Sequence, residues 1–196
     1  EKGLAMAGLN FPGNAFYQEA CGSGLEVASF EIIAWILGKC ASVAEAEQYL
    51  DDLRIVSTAF ADQMPPAPLH WMLADWEKCI VLEAVREGLK VYENPVGVLT
   101  NNPPFDYHRI NLSNYLNLTA RSPENRFSDQ IDLKPYAQGM GAAGLPGDAS
   151  SASRFVRAAF LELNSAAPKE EAADVSQFFH ILDSVAMVRG AVVTES

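Results

Sequence analysis

The chain has 196 residues, of which 49% are apolar, enough to fill the core of one or at most two domains, which excludes fibrous and disordered classes. Its 14 Lys and Arg residues stand against 25 Asp and Glu residues, giving a formal net charge of −11 at pH 7. A surface of this sign repels phosphate backbones and anionic bilayers, so we expect no nucleic acid and no membrane as partner. The longest apolar run, residues 32–38, is too short to cross a bilayer.

The first third of the chain predicts a strand followed by two helices. Residues 4–9 form an apolar run that a Pro-Gly turn ends, which is typical of a strand entering a loop. Residues 29–40 carry apolar side chains at helical spacing on two faces. A second helix begins at Ser42, where Glu45 completes a capping box, and the apolar spacing extends this helix to include Leu53.

The middle third changes to short apolar runs separated by turn-prone residues. Spacing this tight predicts antiparallel hairpins, because parallel strands need long crossover connections. The predicted strands are residues 69–74, 79–85, 89–92 and 97–100. The sequence then predicts a short helix at residues 107–116 and a long surface excursion at residues 117–150. Two further helices are predicted at residues 153–163 and 172–188. This order indicates an α+β layered fold, which we treat as one partial domain over residues 1–196.

Several patterns that often indicate cofactors do not do so here. Residues 139–144 match the dinucleotide fingerprint, but no predicted strand precedes them and a Leu-Pro-Gly sequence breaks the helix that should follow. The three histidines share no metal-type spacing, and each is best interpreted as an ordinary core or surface residue. We therefore expect no metal and no cofactor.

The chain has three cysteines, Cys21, Cys40 and Cys79, an odd number without metal-type spacing. This usage fits a reducing compartment better than a disulfide scaffold, so we expect a cytoplasmic protein. Apolar neighbours in the sequence predict that the thiols are buried and structural.

Three polar residues lie where predicted strands or helices meet loops. Asn10 and Asn101 each follow a predicted strand, and Arg154 lies at the start of a predicted helix. Such asparagines are usually turn residues, although a carboxamide can also donate a hydrogen bond to a developing oxyanion. An arginine at this place is more often a surface or ion-pairing group than a catalytic one. Sequence position alone leaves these alternatives open.

Five segments, taken together, resemble one known family. They are the opening strand and loop (residues 1–13, EKGLAMAGLNFPG), residues 68–71 (PLHW), residues 98–106 (VLTNNPPFD), residues 144–148 with 153–157 (GLPGD and SRFVR), and residues 178–187 (FFHILDSVAM). In this order they resemble the choloylglycine hydrolases, which include bile salt hydrolases and penicillin V acylases. The resemblance runs through essentially all 196 residues.

The resemblance implies an N-terminal-nucleophile hydrolase, a four-layer αββα sandwich with antiparallel sheets. In that family a cysteine at the mature N-terminus, with its own α-amine as base, attacks an amide and forms a thioester, without a metal. Carried over by motif, Asn101 offers its side-chain NH₂ to the oxyanion, Asn10 contributes its backbone N–H, and Arg154 lies near the nucleophile. The loop of residues 60–66 corresponds to a substrate-pocket loop, where Phe60 and Met64 would contact a steroid unless both pack in the core.

The family's nucleophilic cysteine lies upstream of the matched segments, and internal cysteines such as Cys21 carry no free α-amine. We therefore expect an internal fragment that lacks the nucleophile and the terminal strands and is inactive alone.

Asn10 after Gly-Leu resembles bile salt hydrolases more than penicillin V acylases, which tend to carry Tyr there. The leading expectation is hydrolysis of glycine- or taurine-conjugated bile salts by a bacterial homotetramer. A penicillin V acylase-like activity and an inactive chain that binds only ligand or partner subunits remain as alternatives.

Overall fold

The computed structural model describes residues 2–166 and 170–193, which divide into two compact units, Glu1–Tyr107 and His108–Ser196. The first unit contains the strands β1 (Ala5–Asn10), β2 (Leu25–Ala28), β3 (Leu53–Val56), β4 (Leu69–Ala74), β5 (Cys79–Val85) and β6 (Gly88–Glu93), with helices α1 (Ile32–Lys39) and α2 (Val43–Leu50). Helix α3 (Phe105–Asn111) follows, and the second unit contains α4 (Ser151–Asn164) and α5 (Glu171–Asp183). The inference of a single partial domain stays a prediction.

The main sheet has four strands in the order β1-β4-β5-β6, and every neighbouring pair is antiparallel. This confirms the predicted hairpins of the middle third and the strand at the start of the chain. The register places Asn10, the last residue of β1, opposite Leu69, the first residue of β4. The end of β1 therefore lies beside the start of the PLHW segment.

The second sheet corrects the prediction for Leu53. Helix α2 ends at Leu50, and Leu53 is the first residue of strand β3, which pairs in parallel with β2. Two exposed aspartates between Leu50 and Leu53 form a turn that ends the helix. Leu53 therefore matches the helical spacing only by coincidence. The α1–α2 segment is the crossover that a parallel pair requires.

The predicted strand at residues 97–100 is wrong. No strand is assigned there, and the backbone groups of this stretch bond to the side chain of Asn94. The Asn94 carboxamide donates to the carbonyl of Val98 at 3.0 Å and accepts from the N–H groups of Val96 and Gly97 at 3.2 and 3.1 Å. A side chain that satisfies these groups replaces the ladder of a strand.

The core of the first unit lies between one face of the main sheet and helices α1 and α2. Its fully buried side chains include Ile32 and Ile36 of α1, Trp71 and Leu73 of β4, and Leu82 of β5. The alternate residues of β4 and β5, among them His70, Val81 and Glu83, point to the opposite face and are also buried. Both faces of the two central strands are therefore covered.

The second unit confirms the predicted helix at residues 153–163 and the long excursion before it. The helix predicted at residues 172–188 is confirmed only up to Asp183, where α5 ends. Phe155 and Val156 of α4 are buried, and the ring of Phe155 stacks on His108 with centroids 4.6 Å apart. Gly141, within the segment that matches the dinucleotide fingerprint, lies in a 3₁₀ turn where a Cβ atom would come within 2.1 Å of the Arg121 carbonyl oxygen. That glycine is explained by close packing. Across the described ranges, no helix has the length and apolar character needed to span a bilayer.

Candidate active site

Asn10 and Asn101 lie 91 positions apart in the sequence and are in direct contact. The side-chain nitrogen of Asn101 donates a hydrogen bond of 2.9 Å to the backbone carbonyl oxygen of Asn10. An amide nitrogen carries two hydrogens, and this bond uses one of them and fixes the plane of the carboxamide. The two asparagines that the resemblance assigned to a reaction centre are thus brought together.

We call the contact between the end of β1 and residues 101–102 the asparagine junction. A second pair of asparagines, which the sequence analysis missed, reinforces it. Asn102 donates from its side-chain nitrogen to the carbonyl of Pro12 at 2.7 Å, and Asn14 donates to the side-chain oxygen of Asn102 at 3.1 Å. The loop after β1 is therefore connected to residues 101–102 at several points. The pair Asn101 and Asn102 was the available signal in the sequence, because two adjacent carboxamides can both donate hydrogen bonds to the backbone of a neighbouring loop.

A buried histidine–glutamate pair contacts the residue before Asn101. His70 lies with its Nε2 atom 2.8 Å from the carbonyl oxygen of Thr100 and its Nδ1 atom 3.1 Å from Oε1 of Glu83. Both side chains are essentially inaccessible to solvent. The interpretation of His70 as a satisfied core histidine is confirmed. Glu83 was missed, although a single charge inside the apolar strand of residues 79–85 was a signal for it.

Arg154 is positioned by the first turn of α4. Its Nε atom donates to the carbonyl of Ala149 at 3.1 Å, and burial, with Arg157 as a second and smaller cause, lowers the pKa of its guanidinium. The turn itself is held by Asp148, whose pKa is lowered because it accepts hydrogen bonds from Ser150 and Ser153. Arg154 belongs to the second unit, and its place beside a nucleophile stays a prediction.

Phe60 and Met64 lie on a short turn of the first unit, where the N–H of Met64 donates to the carbonyl of Ala61 at 2.8 Å. Their exposed fractions are 66% and 57%, so the alternative that both pack in the core is wrong. The ring of Phe60 meets that of Phe30 edge to face, with centroids 5.3 Å apart. Their role in a substrate pocket stays a prediction.

The three cysteines differ in their surroundings. Cys40 is buried, and burial raises the pKa of its thiol; burial also raises the pKa of Cys79 to about 11. The prediction of burial is wrong for Cys21, which is exposed and lies 2.8 Å from Nη1 of Arg54. Among the described residues, no group of three or more His, Cys, Asp or Glu side chains could hold a metal ion.

The chemistry that these groups offer is hydrogen-bond donation to an anion. A carboxamide whose plane is already fixed loses little freedom when a negatively charged oxygen approaches it, which is the property of an oxyanion hole. The site in the first unit combines that donor with the end of a strand, where backbone N–H groups leave the sheet. Acyl transfer is one reaction that uses such a donor, because its tetrahedral intermediate carries an oxyanion.

Comparison with known proteins identifies relatives along the whole chain. It is 52% identical over 190 residues to the bile salt hydrolase/transferase of Lactiplantibacillus plantarum, covering 97% of this chain and 59% of that protein. It is 39% identical to the conjugated bile acid hydrolase of Lactobacillus acidophilus, covering all of this chain and 62% of that protein. The chain thus spans about three-fifths of the length of these curated relatives.

Solved structures of related proteins have the same fold. A mutant of the conjugated bile acid hydrolase from Clostridium perfringens superposes with a TM-score of 0.88 at 40% identity, over 98% of this chain and 59% of that one. The penicillin V acylase from Agrobacterium tumefaciens shares the fold, with a TM-score of 0.75 at 21% identity, over 98% of this chain and 52% of that one. The α+β fold with an antiparallel sheet, inferred from the sequence, is confirmed.

The family model for linear amide C–N hydrolases of the choloylglycine hydrolase type matches residues 1–196. With the asparagine junction and the relatives described above, the chain belongs to the choloylglycine hydrolase family.

Proposed function

We propose that this chain is the part of a bile salt hydrolase that carries the oxyanion donor for cleavage of glycine- or taurine-conjugated bile salts. The observation that supports it best is the hydrogen bond from the Asn101 carboxamide to the Asn10 carbonyl, which presets a donor at the end of β1. Relatives named for bile salt or conjugated bile acid hydrolysis at 39–52% identity support the choice of substrate.

In the proposed reaction, a cysteine thiolate at the mature N-terminus attacks the carbonyl carbon of the conjugate. The carbonyl oxygen becomes an oxyanion, to which the Asn101 NH₂ and the Asn10 backbone N–H donate. The C–N bond then breaks, and the protonated α-amine gives its proton to the departing glycine or taurine. Water hydrolyses the remaining thioester and releases the bile acid. These steps balance without a metal or an external oxidant.

Arg154 has an electrostatic role in this proposal. A guanidinium stays charged at physiological pH even when burial lowers its pKa, so Arg154 remains the cation that the proposal requires. A nearby cation favours the thiolate over the thiol and thereby increases the fraction of reactive nucleophile. The bond from Arg154 Nε to the Ala149 carbonyl supports this role by restricting the orientation of the guanidinium.

Phe60 and Met64 are proposed to contact the apolar face of the steroid. Their exposure and the edge-to-face contact with Phe30 make an apolar surface of the kind that binds rigid hydrophobic ligands. Subunit assembly as a homotetramer and a cytoplasmic location are proposed with the family resemblance. Three free cysteines support the reducing compartment.

The test uses protein made from the complete reading frame that encodes this chain, with release of taurine and glycine from conjugated bile salts as the assay. We expect Asn101→Ala to lower kcat by about 10²–10³-fold, as removal of an oxyanion donor does. Arg154→Ala is expected to lower kcat as well. Asn125→Ala is the matched control, because Asn125 also donates from its carboxamide to a backbone carbonyl, that of Ile131 at 2.6 Å, but has no role in the proposed reaction.

The assignment fails if the parent protein releases no amino acid from either conjugate, or if both active-site variants hydrolyse as fast as the parent. A parallel assay with penicillin V separates the two substrate classes on one preparation. Faster turnover of penicillin V than of the taurine conjugate would replace the bile salt proposal with the acylase alternative.

A further inference from the structure

The buried His70–Glu83 pair is the strongest group of titratable side chains that the proposed reaction does not use. Oε1 of Glu83 receives two contacts, from Nδ1 of His70 at 3.1 Å and from the backbone N–H of Phe105 at 2.9 Å. The other imidazole nitrogen lies 2.8 Å from the Thr100 carbonyl oxygen. The pair therefore contacts both ends of the segment of residues 100–105, which contains Asn101.

The hydrogen positions follow from the partners. A carbonyl oxygen only accepts, so Nε2 of His70 carries a hydrogen and donates it to Thr100. One further proton lies between Nδ1 of His70 and Oε1 of Glu83, whichever of the two atoms holds it. Within the described residues, Oε2 of Glu83 is buried and has no hydrogen-bond partner, an arrangement that opposes folding. Net stability is therefore a weak explanation for the pair.

The imidazole also contacts the segment on the other side of the site. The ring of Phe11 stacks on that of His70, with centroids 4.3 Å apart and planes inclined by 7°. Phe11 directly follows Asn10, whose carbonyl oxygen accepts the hydrogen bond from Asn101. One buried ring thus contacts the neighbours of both asparagines.

We infer that His70 and Glu83 are positioning residues that hold Thr100 and Phe105, and through them orient the Asn101 carboxamide toward the oxyanion. The inference rests on the proposed function, because it assigns these residues to the same site. It requires no proton transfer to the substrate. The pair acts only by fixing where the donor lies, and a displacement of about 1 Å at a reaction centre can cost 10²-fold in rate.

Three variants of the complete protein separate positioning from packing. His70→Phe keeps the ring that stacks on Phe11 but removes the donor to Thr100. We expect it to lower kcat by roughly 10–100-fold and to change KM by less than about threefold, because both side chains are inaccessible to solvent and the proposal gives them no contact with the steroid. His70→Gln keeps an N–H donor near the Nε2 position and is expected to recover most of the lost kcat. Glu83→Gln weakens the contacts to His70 and Phe105 and is expected to lie between the two.

Leu73→Ala is the control for stability alone. Leu73 is fully buried on β4 but points to the sheet face that packs on the helices. We expect Leu73→Ala to lower the urea midpoint and to leave kcat within about twofold, because its cavity forms away from the asparagines. A kcat loss in Leu73→Ala equal to that in His70→Phe at the same midpoint would overturn the inference, as would unchanged kcat in a folded His70→Phe.

Hydrogen–deuterium exchange provides a readout that does not depend on turnover. The peptide containing residues 100–106 should exchange faster in His70→Phe and Glu83→Gln than in Leu73→Ala. Unchanged exchange in this peptide would overturn the inference, whether or not the protein acts on bile salts. If the parent shows no hydrolysis but the exchange result holds, the proposed function fails and the positioning contacts stand. Should His70→Phe not fold, the Gln variants at both positions decide the outcome by the same two measurements.

Discussion

Asn101 is oriented by a backbone carbonyl, which is a more rigid partner than a side chain. The Asn10 carbonyl belongs to the last residue of β1, so its direction is set by the sheet. A neutral carboxamide oriented in this way also carries no charge that would have to be desolvated in the absence of substrate. Orientation by the sheet would allow an asparagine to serve as the oxyanion donor that we propose.

Thiol reactivity provides a prediction at the residue scale. Cys21 is exposed, whereas burial raises the pKa of both Cys40 and Cys79. Since the thiolate is the reactive form, we expect an aromatic disulfide reagent at pH 8 to modify Cys21 rapidly and the other two slowly. Raising the pH toward 11 should accelerate modification of Cys79. Peptide mass spectrometry assigns each site, and rapid labelling of Cys79 at pH 8 would contradict the prediction.

At the scale of elements, the turn between β4 and β5 is attached to the start of α2. Oδ2 of Asp75 accepts from the N–H of Val43, the first residue of α2, at 2.7 Å. Its Oδ1 accepts from the N–H groups of Glu77 and Lys78, both at 2.8 Å. These three hydrogen bonds lower the pKa of Asp75. One carboxylate thus closes a hairpin turn and caps a helix.

We expect Asp75→Asn to lower the free energy of unfolding at pH 7, because an amide cannot accept on both of its former oxygens. The native pKa of Asp75 is lowered, so its contribution is present above the unfolded value of about 4 and is lost as the pH falls through the native value. Urea unfolding at pH 7 and pH 3 should therefore show a smaller difference between variant and parent at pH 3. Asp52→Asn, at an exposed aspartate, is the control; a difference that grows toward acid would contradict the prediction.

The sequence predicted elements well where one periodicity dominated, and failed where side chains replaced backbone pairing. The short apolar runs at residues 69–74 and 79–85 were predicted as strands, and β4 and β5 have these bounds. The stretch at residues 97–100 was apolar enough for a strand, yet the carboxamide of Asn94 takes its backbone groups. Leu53 matched a helical spacing across a turn and is in a strand. An apolar pattern alone does not reveal whether a backbone group will bond to another strand or to a nearby side chain.

The site was partly predictable for the same reason. The motifs identified Asn10 and Asn101, and the structure joins them. The contributions of Asn102 and Glu83 depend on contacts with Pro12 and His70, which are distant in sequence. Arg154 was identified by motif, but no spacing in a single sequence relates it to residues of the first unit.

At the scale of the whole molecule, the proposed nucleophile is a cysteine at a mature N-terminus, and Cys21, Cys40 and Cys79 are all internal. The backbone nitrogen of an internal cysteine is part of a peptide bond, so none of the three supplies the α-amine that the proposal uses as a base. We therefore expect Cys21→Ser to leave the release of taurine and glycine by the complete protein unchanged. Loss of hydrolysis in Cys21→Ser would contradict the proposed nucleophile.

The turn that carries Phe60 closes on itself through the Met64 N–H and the Ala61 carbonyl. The asparagine junction is built from other stretches, at the end of β1 and in residues 100–105. The proposal thus assigns recognition of the acyl group and cleavage of its bond to separate stretches of the chain. Under that proposal, exchanges at positions 60 and 64 would change which steroids the descendants of this protein accept and would leave the amide-breaking groups unaltered.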